Sequence, residues 1–153
     1  MSTIKGYKPH PSQKVIHDSI NKDGAKYYVF NIGRQWGKTM FAINQLLYWC
    51  INSPGSQIAW VSPVYAQSKK VFDELERATA VKGCGSTIRF FSGERPDNIR
   101  GNTFDYLVID EMAFTRPELW LEVLQATVLV KGKKVIFIST PKGKNHFHSL
   151  SLQ

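Results

Sequence analysis

Asn31-Ile32-Gly33-Arg34-Gln35-Trp36-Gly37-Lys38-Thr39 is the stretch whose reading decides the fold. It overlaps a run from Tyr27 to Ile32 that is apolar and aromatic except at Asn31, read as the pattern of a strand buried on both faces. It leads into a helical pattern that is apolar almost all round, from Lys38 to Ile51, stopped by Ser53-Pro54-Gly55. A strand, a glycine loop ending in Lys-Thr and a helix form a physical recipe for holding phosphates. Backbone N–H groups of the loop and of the helix N-terminus face the anion, Lys38 brings a mobile cation, and the Thr39 hydroxyl suits Mg²⁺. The loop is a variant: in G-x-x-x-x-G-K-[ST] the first glycine falls on Ile32, and Gly33 comes one residue late. The nucleotide-binding set predicted within it is Gly33, Arg34, Gln35, Trp36, Gly37, Lys38, Thr39 and Met40.

Downstream, Tyr106-Leu107-Val108-Ile109-Asp110-Glu111 places two acids at the end of four apolar residues. Open parallel sheets bind ligands at the C-terminal ends of their strands. Adjacent carboxylates repel one another unless a cation lies close by, so Asp110 is expected to join Thr39 in holding Mg²⁺. Glu111 is then left to orient and deprotonate water at a γ-phosphate, with Lys38 at the outer phosphates; Arg34 can add charge-assisted contacts to the phosphates or swing outward to a neighbour.

The rest of the chain supplies matching elements. Ser12 is the expected N-cap of a helix reaching about Ile20. Strands are expected at Ile58 to Val61, Ile88 to Phe91, Tyr106 to Ile109 and Val135 to Ile138. A helix after Pro63 presents Val71, Phe72, Leu75 and Ala78 on one face, with Gly83 as its C-cap. Thr115 and Glu118 form a capping box, with Pro117 in the first turn, for a helix bearing Leu119, Trp120, Val123 and Leu124. Strands alternating with helices predict an α/β domain with a mostly parallel central sheet flanked by helices. Trp49 and Trp120 fall at core spacing, whereas Trp36 either walls the nucleotide or covers the loop from below.

With 153 residues, 42% of them hydrophobic, the chain suits one domain, 1–153. Twenty Lys and Arg against twelve Asp and Glu give +8, which suits a polyanion without requiring one. Cys50 and Cys84 lie far apart and imply neither a disulfide framework nor a metal knuckle. No apolar run approaches a membrane span, so a soluble cytoplasmic protein is expected.

Gly33-Arg34-Gln35-Trp36-Gly37-Lys38-Thr39, Val108-Ile109-Asp110-Glu111 and Ser139-Thr140-Pro141-Lys142-Gly143 together resemble the ATPase domain of tailed-bacteriophage large terminases. The resemblance runs from about Tyr7 to about Leu150. It implies a P-loop NTPase of the additional-strand, catalytic-glutamate type, with the Ser139 strand between the phosphate-loop and Asp110 strands. By the same resemblance, Ser139 and Thr140 are the coupling motif that senses the γ-phosphate. Arg34 is the charge such proteins place in the loop, and Gln13 reads the adenine edge. Arg100-Gly101 also fits the pattern. The implied activity is ATP hydrolysis with Mg²⁺, driving double-stranded DNA into a prohead in the infected bacterial host. The implied partners are other copies of the subunit in a ring, a portal and a small terminase subunit, with no membrane. No acid follows Glu122, so no C-terminal nuclease is expected in this stretch.

Two other readings fit the same residues: a helicase-like or remodelling ATPase, and a truncated module that holds nucleotide but hydrolyses little alone. For DNA contact, Lys131, Lys133, Lys134, Lys142 and Lys144 are candidates, equally readable as solvated turn lysines.

Overall fold

A computed structural model describes residues 8–22, 24–33, 36–78, 85–111 and 116–139, without the side chains of 76–78. Five strands form one sheet: β1 (Tyr27–Asn31), β2 (Gln57–Ser62), β3 (Thr87–Ser92), β4 (Tyr106–Ile109) and β5 (Lys134–Ser139). Every pairing is parallel, in the order β1-β5-β4-β2-β3. The β5 strand thus lies between β1 and β4, as the family resemblance implies. The helices are α1 (Pro11–Lys22), α2 (Lys38–Asn52) and α3 (Tyr65–Ala78). A π-helical segment, Leu119–Leu124, runs into one α-helical turn, Gln125–Thr127, and the two together are α4.

Alternation along the strands divides the core into two layers, because successive side chains point to opposite faces. Ile58, Trp60, Tyr106, Val108, Ile136 and Ile138 pack on one face, with Ile20 of α1, Phe41 to Cys50 of α2, and Val71 and Leu75 of α3. Ala59, Val61, Leu107, Ile109, Val135 and Phe137 pack on the other, against Ile99, Phe104 and the α4 residues Leu119, Trp120, Val123 and Leu124. The tryptophans expected to be core residues are so: Trp49 stacks on Tyr106 with centroids 4.4 Å apart, and Trp120 meets Phe137 edge-on at 4.8 Å. At the N-terminal edge of the sheet, Asp105 ties three strands together. Its Oδ2 accepts from Gln57 N at 2.8 Å, and its carbonyl accepts from Lys133 N at 2.6 Å.

Several expectations need correction. The β1 strand is not buried on both faces: among the described residues it is an edge strand, pairing only with β5, and Tyr27 is 45% exposed. Helix α1 begins two residues early because Pro11 takes the first helical position, where its missing N–H costs nothing. The cap is therefore His10, not Ser12, and the Ser12 hydroxyl bonds to His10 Nδ1 at 2.9 Å. On α3, Phe72 parts from Val71 and Leu75. It is 39% exposed and meets Phe90 of the edge strand β3 with centroids 5.5 Å apart. Gly83, Cys84 and Thr115 lie outside the described residues.

Polar groups in the α1–α2 interface bond to one another. His17 Nδ1 lies 2.7 Å from Gln45 Oε1, and Gln45 Nε2 donates to Asn21 Oδ1 at 2.7 Å. Burial pushes the His17 imidazole below its ordinary 6.5, against the smaller upward pulls of the Gln45 bond and the Asp18 charge.

Leu107 is fully buried on a central strand, so Leu107→Ala should lower unfolding free energy by about 2–5 kcal/mol. Leu121→Ala, at a side chain 65% exposed, should stay within about 0.5 kcal/mol in the same urea titration. Because the folded state resists protonating His17 while the unfolded chain accepts a proton near 6.5, stability should fall as pH drops below that value. Urea midpoints at pH 7.5 and 5.5 should therefore separate less in His17→Asn than in the parent, and an identical separation would remove His17 as a cause.

Candidate nucleotide site

The site forms at the C-terminal edge of the sheet, where β1, β5 and β4 end side by side. The chain leaves β1 through Ile32, whose N–H donates to Ser139 O at the end of β5 at 3.0 Å. It then turns at Gly33, whose carbonyl accepts from Trp36 N at 3.4 Å, and enters α2 through Gly37. Gly37 has φ +84°, a left-handed conformation open to glycine at little cost. A Cβ there would also come within 2.9 Å of Gln13 Nε2. The glycine before Lys38 is thus favoured by its backbone conformation, and any Cβ there would also make the end of the Gln13 side chain shift.

Lys38 and Glu111, expected from separate motifs, meet directly. Lys38 Nζ donates to Glu111 Oε1 at 2.9 Å, with side-chain exposures of 11% and 21%. Glu111 sits at φ +51°, the one positive φ among described non-glycine residues. For a residue with a Cβ that conformation is strained, and such strain clusters where a side chain must be aimed. Beside it, burial and then the Glu111 charge raise the Asp110 carboxyl from 3.8 to about 6, while Lys38 pulls in the opposite direction. Two crowded acids with one lysine between them favour a further cation. Thr39 and Asp110 supply hard oxygen donors of the kind Mg²⁺ takes alongside phosphate oxygens and water. No group of three or more His, Cys, Asp or Glu side chains that could hold a metal alone occurs among the described residues. The donor set therefore fits a metal shared with a ligand better than a cage of protein atoms.

Gln13 is buried, and its carboxamide is engaged with the phosphate loop. Nε2 donates to Trp36 O at 3.0 Å and Gly37 O at 3.4 Å, while Oε1 accepts from His10 N at 3.1 Å. Reading an adenine edge would require this amide to leave those partners. Trp36 lies against the protein: its ring meets Phe41 at 5.3 Å and His10 at 5.1 Å. Met40 is 40% exposed on the first turn of α2, and Thr39 is partly buried. Ser139 is fully buried at the end of β5. Arg34, Gln35 and Thr140 lie outside the described residues.

His10 and Ser12 were not among the expected site residues. The available signal was the His10-x-x-Gln13 spacing around Pro11, a capping-box pattern with histidine at the cap. Arg100 bonds to Asp97 at 3.2 Å and lines a cleft of about 460 Å³ with Arg116, Glu118 and Glu122. No phosphate-loop residue lines that cleft.

The candidate DNA lysines that are described lie at the opposite edge of the sheet. Lys134 Nζ donates to Ala25 O at 3.0 Å and Tyr28 Oη at 3.1 Å. Lys131 lies 3.6 Å from Asp105, and Lys133 lies over the Tyr106 ring at 5.8 Å. Lys142 and Lys144 lie outside the described residues.

Comparison with known proteins places this geometry. The terminase large subunit of Thermus phage G20c is 31% identical, aligned over 97% of this chain and 37% of that protein. The chain therefore spans little more than a third of that relative's length. Among solved structures, the Thermus phage P74-26 large terminase ATPase domain superposes with a TM-score of 0.79 at 30% identity, covering 94% of this chain and 69% of that one. The large terminase of another thermophilic bacteriophage, in complex with ATP-γ-S, shares the fold, with a TM-score of 0.72 at 16% identity, covering 94% and 41%. A family model described as Terminase large subunit, T4likevirus-type, N-terminal matches residues 29–151, from within β1 to beyond β5, and the chain belongs to that family.

Proposed function

We propose that this domain is the ATP-hydrolysing motor of a viral terminase large subunit, which translocates double-stranded DNA into a prohead. The observation that carries the reading is the 2.9 Å contact between Lys38 and Glu111 at the C-terminal edge of a sheet ordered β1-β5-β4. It brings the phosphate-binding cation and a carboxylate able to act as a base to one point, which hydrolysis of a triphosphate needs.

In this reading the amides of the loop and of the α2 N-terminus hold the phosphates, and Lys38 turns from Glu111 to the outer phosphate oxygens. Glu111, released, orients a water in line with the γ-phosphate and takes its proton. Thr39 and Asp110 would hold Mg²⁺, which supplies charge neutralisation across the phosphates when bound. Arg34 adds a charge-assisted contact at the loop, and Ser139 with Thr140 relays phosphate loss along β5. The larger assembly comprises copies of the subunit in a ring, a portal and a small subunit in the infected bacterial cytoplasm. No described helix is long and apolar enough to cross a membrane.

Glu111→Gln should retain magnesium-ATP binding while turnover falls ~10²- to 10⁴-fold, the usual worth of a general base. Binding by calorimetry and phosphate release in single turnover measure the two quantities separately. Hydrolysis at the parent rate would exclude Glu111 as the base, and a parent protein with no affinity for nucleotide would end the ATPase reading.

A further inference from the structure

We infer that His10 is a positioning residue of the phosphate loop, acting through a closed ring of hydrogen bonds with Ser12 and Trp36. The inference rests on the nucleotide reading above and specifies what holds that site in shape. Trp36 is held at both ends. Its indole Nε1–H donates to Ser12 Oγ at 3.0 Å, and Ser12 Oγ lies 2.9 Å from His10 Nδ1. The other imidazole nitrogen, His10 Nε2, lies 3.0 Å from the Trp36 carbonyl oxygen.

The chemistry of the partners fixes every donor. A carbonyl oxygen only accepts, so His10 Nε2 carries the hydrogen that it donates to Trp36 O. The indole nitrogen only donates, so Ser12 Oγ accepts from it and is free to donate its own hydrogen to His10 Nδ1. His10 Nδ1 also lies 3.4 Å from Gln13 N, facing a second donor. All four assignments agree with a hydrogen on His10 Nε2 and an acceptor at Nδ1, and none leaves two donors or two acceptors opposed. The two aromatic rings close the ring edge-on, at an interplanar angle of 88°.

This clamp orients the loop. In a trans peptide the C=O and the following N–H point in opposite directions, and no cis bond occurs among the described residues. His10 and Gln13 pull the Trp36 carbonyl toward α1, so the Gly37 N–H faces away from α1. The Gly37 carbonyl accepts from Phe41 N at 3.0 Å and from Gln13 Nε2, which turns the Lys38 N–H the same way. These are the amides at the α2 N-terminus that an anion would meet. His10 thus sets the direction of phosphate donors without touching phosphate, and α1 shapes the Trp36–Lys38 end of the loop together with Gly37.

The test compares variants that each break one link. In magnesium with a non-hydrolysable ATP analogue, His10→Ala, Ser12→Ala and Trp36→Phe should each raise the Kd roughly three- to tenfold, the worth of one or two net hydrogen bonds. His10→Gln, which keeps a donor for Trp36 O, should recover most of that loss. In nucleotide-free protein, the indole N–H resonance absent from Trp36→Phe should shift in His10→Ala and Ser12→Ala, while Tm stays near the parent value. Analogue affinity equal to the parent in His10→Ala and Ser12→Ala would overturn the inference, as would His10→Gln binding no better than His10→Ala. If the parent itself binds no analogue, the nucleotide reading falls and this inference with it. If the parent binds and the variants match it, only this inference falls.

Discussion

The Lys38–Glu111 ion pair joins residues 73 positions apart, and the architecture around it is what makes that contact geometrically available. The strands that lead to them, β1 and β4, do not pair, since β5 is inserted between. Two strand spacings in a sheet amount to roughly 10 Å. A lysine and a glutamate reaching toward one another cross that gap; shorter side chains do not. The register sets their level: Asn31 pairs with Ser139 and Ile109 pairs with Phe137, so the β1 loop and the β4 acids leave the sheet at nearly the same height. Removing β5 from between them, or slipping its register, would displace one group relative to the other before any chemistry was considered.

The same point concentrates charge that the fold does not fully compensate. Asp110 is pushed to about 6 by burial and by Glu111, and Glu111 is held at a positive φ that few non-glycine residues adopt. Both features oppose stability and both are tolerated here, next to a lysine that already engages one of the acids. A triphosphate with its cation would answer each: phosphate draws off the lysine, and the cation meets the acids. The energetics of this strained edge of the sheet thus favour the proposed ligand site, as its motifs do.

How far the sequence reveals this depends on whether a feature is local. Trp60, Val108 and Ile136 announce themselves because central parallel strands are buried on both faces and read as apolar runs. The run at Tyr27 to Phe30 reads the same way, yet β1 is an edge strand, because strand order is a property of the sheet and leaves no mark on one segment. Phe72 has helical core spacing but serves the β3 edge, for the same reason. Lys38, Asp110 and Glu111 were legible because glycine-lysine and apolar-acidic junctions are local patterns. The His10-Ser12-Trp36 ring was not, because it depends on α1 docking its N-terminus against a loop more than twenty residues away.

Net charge is the property that composition overstates most. The excess of eight positive charges invites a nucleic-acid footprint, and lysines cluster before β5. Several of them instead close the N-terminal edge of the sheet. Lys26 Nζ donates to Val128 O at 2.7 Å, Lys134 Nζ to Ala25 O, and Lys131 pairs with Asp105, which itself staples β2 to β5. A cation bound to a backbone carbonyl keeps its formal charge but is held in place by that acceptor, so its first effect is to seal exposed strand ends. Counterion release on DNA depends on lysines free to sit on phosphates, and these have intramolecular partners first. The sheet thus separates its roles by edge: the C-terminal side is left electrostatically unfinished for a ligand, and the N-terminal side uses its lysines to finish the fold.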